Sequence, residues 1–119
     1  MNNIQGNNNI AIGDFSIFTG SGNTALGSNN TILGQVNAIN GTANTVRGDK
    51  NSLNGNFNEI SGDMNIVKKD SNKIAGNSND VDGNNNVVIG SNSTIEGDAN
   101  KVKGDINKVE GINNLIAGR

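Results

Sequence analysis

The protein has 119 residues and a formal net charge of −2; 17 residues are Gly, three are aromatic, and none is Pro, Cys, His, Trp or Tyr. Without His, Cys and Tyr, several of the side chains that most often act as nucleophiles and general bases are missing, and we expect no enzyme and no cofactor. The slightly acidic balance argues against a nucleic-acid-binding surface, which needs clustered Lys and Arg. No stretch is apolar for long enough to insert into a membrane.

A seven-residue repeat fills the chain from end to end. Gly recurs at every seventh position from Gly6 to Gly118, and only Lys69 interrupts the series. Asn stands four residues before each of these frame positions, except at Ser16 and Ser93, and an apolar residue stands two before each. The unit is Asn-x-Val/Ile-x-Gly-x-x, and seventeen units account for all 119 residues. The repeat predicts a single domain over residues 1–119.

Each unit predicts one short β-strand. A coiled coil needs two apolar positions per heptad, whereas this repeat has one, and a Gly in every heptad would cost a helix about 1 kcal/mol each. The Asn and the apolar residue are two apart, so on an extended strand they share the inward face. The Gly then permits a positive φ and turns the chain.

Taken in chain order, the seventeen strands alternate between two faces of a flattened coil. Two units make a coil of 14 residues, and the chain makes about eight and a half coils. The predicted fold class is therefore all-β, a parallel β-solenoid of the β-roll type. The residues three and one before each frame position point outward on alternate faces.

Two kinds of inward column are expected to hold this solenoid together. Stacked Asn side chains can donate and accept hydrogen bonds from coil to coil, as in the amide ladders of stacked strands. The large Phe18 falls between Ala11 and Ala25 along the repeat, as constant core volume requires. The predicted ladder and core residues include Asn23, Asn30, Asn37, Asn44, Asn51, Asn58, Asn65, Asn72, Val46, Val67, Val81 and Val88.

Lys69 is predicted to distort its corner. A side chain at a position that favours a glycine-like φ costs on the order of 1 kcal/mol. We expect the disturbance to lie around residues 68–71.

Charge and exposed apolar residues are distributed unevenly along the chain. Residues 1–46 contain one charged residue, Asp14, and residues 47–119 contain the other nineteen. A large exposed apolar area usually marks a contact surface, and solenoid ends present unpaired strand edges. We therefore expect self-association, and end-to-end growth into filaments would fit. The residues expected to mediate it are Ile4, Ile10, Ile12, Ile17, Leu26, Leu33, Leu115 and Ile116.

Three chemical interpretations carry less weight. Asp80 and Asp82 lie two apart on one strand, and a solvated charged pair is the better interpretation of them than catalysis. Gly20 and Gly22 form Gly-x-Gly with no helix after it, so no nucleotide loop is expected. A weak cation site at the corners is conceivable, although calcium β-rolls use a nine-residue repeat. Its ligands would be the Asp residues that follow the frame position: Asp14, Asp49, Asp63, Asp70, Asp98 and Asp105.

The unit Asn-x-Val/Ile-x-Gly-x-x resembles the ice-binding β-rolls of perennial ryegrass over the whole chain. Residues 9–34 are also similar to the head repeats of trimeric autotransporter adhesins. Both resemblances imply a left-handed parallel β-roll and favour an extracellular or cell-surface location. One architecture serves unrelated roles, so the resemblance is specific for fold and not for function.

Two functions follow from these resemblances, and we rank the structural one first. A structural or adhesive protein that self-associates agrees with the apolar outward residues. An ice-binding protein would use a flat, regular face rich in Thr or Ser, and the candidate residues are Thr24, Thr31 and Thr45. The longest Thr ladder on either predicted face has two rungs, Thr31 and Thr45. Ice activity is therefore expected to be weak or absent.

Overall fold

A computed structural model describes residues 1–118, and every regular element in that range is a β-strand. Each of the seventeen strands has three residues, and consecutive strands start seven residues apart. They are β1 (Asn3–Gln5), β2 (Ile10–Ile12), β3 (Ile17–Thr19), β4 (Thr24–Leu26), β5 (Thr31–Leu33), β6 (Ala38–Asn40), β7 (Thr45–Arg47), β8 (Ser52–Asn54), β9 (Glu59–Ser61), β10 (Ile66–Lys68), β11 (Lys73–Ala75), β12 (Asp80–Asp82), β13 (Val87–Ile89), β14 (Thr94–Glu96), β15 (Lys101–Lys103), β16 (Lys108–Glu110) and β17 (Leu115–Ala117).

The strands form two parallel sheets, as the repeat predicts. The odd-numbered strands make a nine-stranded sheet and the even-numbered strands make an eight-stranded sheet. Each residue pairs with the residue 14 positions later, for example Thr31 with Thr45 and Val67 with Val81. The principal extents are 41 × 20 × 12 Å, and the shortest is close to the ~10 Å spacing of packed sheets. The all-β solenoid with 14 residues per coil is confirmed.

The core is one column of apolar side chains from each sheet. The middle residue of every strand from β3 to β16 is at most 5 % exposed, and the series runs from Phe18 to Val109. Val46, Val67, Val81 and Val88 are fully buried within it. Ala11 and Ile116, the middle residues of β2 and β17, are partly buried and pack against this column.

Every corner begins at the frame position, where close packing between coils requires Gly. The frame glycines from Gly6 to Gly111 have φ between 113° and 157°. A Cβ added to any of them from Gly6 to Gly97 would overlap the backbone carbonyl of the frame residue in the next coil. Gly is therefore required both by its φ and by the lack of space.

A second left-handed residue, which the repeat does not predict, lies two positions after each frame position from Gly6 to Gly111. This residue is non-glycine in fifteen corners, including the bulky Val36 at φ 57° and Ile106 at φ 59°. Such side chains rarely adopt this region, because Cβ approaches the following carbonyl. The ladder hydrogen bonds of the corner hold the strained conformation, for instance from Val36 N to Ser21 O at 3.0 Å.

The corner at Lys69 departs from the others, as the sequence predicts. Lys69 has φ 71°, well below the values of the frame glycines. The hydrogen bond from Gly83 N to Lys68 O is stretched to 3.4 Å, whereas the equivalent bond from Gly76 N to Ser61 O measures 2.9 Å.

Replacing Lys69 with Gly should stabilise the protein. The change removes left-handed strain of roughly 1 kcal/mol and lets Gly83 approach Lys68 at the normal distance. Chemical denaturation monitored by circular dichroism would measure the gain in unfolding free energy. The reverse change at the next frame position, Gly76→Lys, should destabilise the chain. Equal stability of wild type and Lys69→Gly would show that the corner is not strained.

Candidate functional site

The outward side chains form two flat surfaces on opposite sides of the roll. The first and third residues of the odd-numbered strands form the nine-stranded face. The first and third residues of the even-numbered strands form the eight-stranded face. No helix that could cross a membrane occurs in residues 1–118.

The threonines considered for ice binding do not all share a face. Thr31 and Thr45 are register partners on the neighbouring strands β5 and β7 of the nine-stranded face. Thr24 lies on the first outward position of β4, on the eight-stranded face. Each of the three side chains is half-buried. Thr24 is therefore partly exposed like Thr31 and Thr45 but lies on the opposite side of the molecule.

A short regular array surrounds Thr31 and Thr45. Thr31 also pairs with Ile17 on β3, and Leu33 pairs with Thr19. Strands β3, β5 and β7 therefore each present one Thr, and β3 and β5 place an aliphatic side chain beside it. Neighbouring strands are separated by about 4.8 Å. We call Ile17, Thr19, Thr31, Leu33 and Thr45 the threonine patch; Arg47 marks its charged edge.

The asparagine ladder holds the strands beneath this patch. Asn44 Nδ2 donates to Asn30 Oδ1 at 3.1 Å and to the carbonyl of Gly55 at 2.8 Å. The Asn44 backbone amide donates to the same Asn30 oxygen at 3.1 Å. The predicted ladder residues from Asn23 to Asn72 are all at most 2 % exposed. The buried Asn ladder thus holds the strands in register beneath their outward side chains.

A second ladder, which the sequence analysis missed, occupies the corners. In eleven corners the side-chain oxygen of the residue after the frame position accepts a hydrogen bond from the equivalent backbone amide one coil earlier. Asp49 accepts from Gln35 N at 2.7 Å, and Asp63 accepts from Asp49 N at 2.8 Å. The recurrence of Asp, Asn, Ser and Thr at this position is the sequence signal for this ladder, because short side chains with an acceptor oxygen readily bond nearby backbone amides.

The corner ladder also revises the view of the corner aspartates as cation ligands. Asp70, Asp98 and Asp105 accept amide hydrogen bonds of 2.7 Å in the same way, and Asp14 lies 3.4 Å from the N-terminal amine. Within residues 1–118 no group of three or more acidic, His or Cys side chains is arranged to hold a metal ion. Five of these six carboxylates, all except Asp14, thus bond the backbone of the neighbouring corner.

Asp80 and Asp82 lie half-exposed on β12 of the eight-stranded face. Asp82 forms ion pairs with Lys69 at 3.2 Å and Lys68 at 3.8 Å, beside a shallow open depression at the Lys69 corner. On β16, the hydrogen bond from Lys108 to Glu110 raises the pKa of Lys108 and lowers the pKa of Glu110. Two of the four carboxylates on this face, Asp82 and Glu110, are thus paired with lysines at the surface.

The residues expected to mediate association do not form one patch. Ile10, Ile12 and Leu26 are exposed on the eight-stranded face, whereas Ile17 and the half-buried Leu33 lie on the nine-stranded face. The alternation of units between sheets separates them. At the ends of the roll, Ile4 and Leu115 are 43 % and 75 % exposed. Ile116 is partly buried and packs against the core at the last strand, and its role in association stays a prediction.

Comparison with known proteins decides the family. The model of the family described as grass antifreeze beta roll matches residues 1–79 and residues 34–119, two overlapping segments that together cover the chain. The chain belongs to the grass antifreeze β-roll family. The resemblance seen in the Asn-x-Val/Ile-x-Gly-x-x unit is therefore confirmed.

The other comparisons add little to this family assignment. No curated protein matches its sequence. A solved structure, that of the polySia-specific acetyltransferase NeuO, aligns with 13% identity and a TM-score of 0.24. The alignment covers 97% of this chain and 50% of that one, so the chain spans about half the length of the acetyltransferase.

Proposed function

We propose that this β-roll binds ice through the threonine patch of the nine-stranded face. Family membership supports this function over the structural role that we ranked first from the sequence. The observation that carries the choice of surface is the threonine on each of three neighbouring strands. The interaction is non-catalytic: a rigid surface adsorbs to a solid and inhibits its growth.

The patch has the chemistry that contact with a crystal surface requires. Thr hydroxyls both donate and accept hydrogen bonds, so they can take either role toward ordered water. Their β-branched side chains are restricted at χ1, and parallel strands fix their spacing. Ile17 and Leu33 supply apolar surface between them. Charged side chains would have to lose strongly held water on contact, and the patch contains none.

The small size of the patch sets the expected strength. It spans β3 to β7, and beyond it Glu59 and Lys73 form an exposed ion pair of 3.2 Å on the same face. The expectation of weak ice activity therefore stands, because only three of the nine strands contribute. We expect a low thermal hysteresis that rises with protein concentration.

Lys substitutions on the two faces test this proposal. Thr31→Lys should remove most of the thermal hysteresis, since a strongly hydrated ammonium then stands in the centre of the patch. Thr24→Lys is the matched control: the residue type, strand position and partial burial are the same, on the opposite face. Circular dichroism would verify that both variants fold.

Two results would contradict the proposed surface. If wild-type protein neither shapes ice crystals nor gives thermal hysteresis, the chain does not bind ice. If Thr24→Lys and Thr31→Lys lose activity equally, the threonine patch is not the surface that carries it.

A further inference from the structure

The two faces carry net charges of opposite sign. The difference is not apparent along the sequence, because successive strands alternate between the two sheets. The nine-stranded face has four cations and one anion, a net charge of +3. The eight-stranded face has two cations and four anions, a net charge of −2. The charged residues of the nine-stranded face are Arg47, Glu59, Lys73, Lys101 and Lys103. Those of the eight-stranded face are Lys68, Asp80, Asp82, Glu96, Lys108 and Glu110.

The opposite charges remain after the ion pairs within each face are set aside. On the nine-stranded face Glu59 is paired with Lys73, and Lys101 and Lys103 make no ion pair within residues 1–118. On the eight-stranded face Asp82 and Glu110 are paired with lysines. Asp80 and Glu96 form no ion pair in the described chain, although Glu96 is close enough to Lys108 to help raise the pKa of that lysine. The unpaired charges are thus positive on one side and negative on the other.

From these observations we propose that the nine-stranded face of one copy stacks on the eight-stranded face of a second copy. In a stack that keeps the roll axes aligned, β15 with Lys101 and Lys103 lies level with β14 and β16. Glu96 on β14 then supplies an unpaired carboxylate opposite the two lysines. Such electrostatic complementarity favours one pairing of faces over the other two.

The uncharged ends of the two faces also match in the same arrangement. Strand β3 lies level with β2 and β4, so Ile17 meets the surface formed by Ile10, Ile12 and Leu26. These four side chains are 42 % to 61 % exposed in the single chain. Aligned stacking therefore places apolar against apolar at one end of the face and cation against anion at the other.

The size and shape of the faces suit a second copy. The two larger extents of the whole roll are 41 and 20 Å, so full overlap of its broad sides, corners included, covers at most roughly 800 Å² on each partner, the usual size of a specific interface. The contact joins two different surfaces, so it can repeat from copy to copy in an open stack. This inference does not rest on ice binding. If the proposed function is also correct, stacking covers the threonine patch, and the two interactions exclude each other there.

Charge reversal on each face gives the test. Lys101→Glu/Lys103→Glu makes the nine-stranded face net negative, and Asp80→Lys/Glu96→Lys makes the eight-stranded face net positive. Each variant alone then has two faces of like sign and should associate at least about tenfold more weakly than wild type. An equimolar mixture of the two variants should associate again, because each complements the other.

Sedimentation velocity would measure association at about 20 mM and about 500 mM NaCl, between which the screening length falls from ~20 Å to ~4 Å. We expect wild type and the mixed variants to associate at low salt and to dissociate at high salt. A single charge reversal on the face, Lys103→Glu, is compared with Lys50→Glu, which reverses a charge at an exposed corner. Lys50→Glu is the control and should associate like wild type.

Three outcomes would overturn the proposal. The first is a wild-type protein that stays monomeric at low salt and high concentration. The second is undiminished association of both double variants, which would point instead to contact through strand edges at the ends of the roll. The third is a failure of the mixture to associate when wild type does. None of these measurements involves ice, so their outcome does not decide whether the protein binds ice.

Discussion

Replacing Phe18 with Ala should lower the unfolding free energy by about 3–5 kcal/mol. Phe18 is fully buried, and its level in the roll falls between Ala11 and Ala25 of the other sheet. Those two side chains are already the smallest that a core column can contain, so nothing nearby can fill the space left by the ring. The substitution loses both the transfer free energy of the ring and the contacts around the cavity.

Phe15→Ala provides the control for this measurement. Phe15 loses the same ring atoms, but it lies at a corner with 68 % of its surface exposed. Chemical denaturation of the two variants should therefore give a small change for Phe15→Ala and a large one for Phe18→Ala. A loss below about 1 kcal/mol for Phe18→Ala would mean that the ring contributes little to the core.

Replacing Asn65 with Ala should cost about 2–5 kcal/mol, because it leaves two buried backbone groups without partners. Asn65 Nδ2 donates to Gly76 O at 2.8 Å, and Asn65 Oδ1 accepts from Asn79 N at 3.0 Å. The Asn65 side chain is fully buried, the bond to Asn79 is buried and the bond to Gly76 is partly buried. Asn54→Ala, at an exposed outward position, should change the stability by less than about 0.5 kcal/mol.

Ser93 interrupts the same Asn ladder, and placing Asn there should raise the stability of the protein. Ser93 takes an Asn position, and its hydroxyl accepts from Asn107 N at 3.1 Å. It is too short to bond the Asn107 side chain, and Asn107 Nδ2 is buried without a partner in residues 1–118. Ser93→Asn should therefore raise the midpoint of thermal unfolding. A lower midpoint for Ser93→Asn, or an unchanged one for Asn65→Ala, would show that the ladder contributes little to stability.

The fold could be predicted from the sequence because the repeat encodes it locally. Asn, Val or Ile, and Gly recur at fixed positions, so the inward columns, the corners and the 14-residue coil follow from the geometry of a single unit. The disturbance at Lys69 followed for the same reason: one residue broke a rule that sixteen others obey. Family membership was also visible in the unit itself.

The chain sequence by itself therefore determined the solenoid, its two buried columns and the composition of each face. Only the tertiary structure decided what the corner residues do, since the hydrogen bond from Gln35 N to Asp49 joins residues 14 apart. It also decided that Val36 and Ile106 adopt left-handed φ values, which their residue types disfavour. The physical reason is that stacking adds contacts between coils, and these overrule the local preference of a single corner residue.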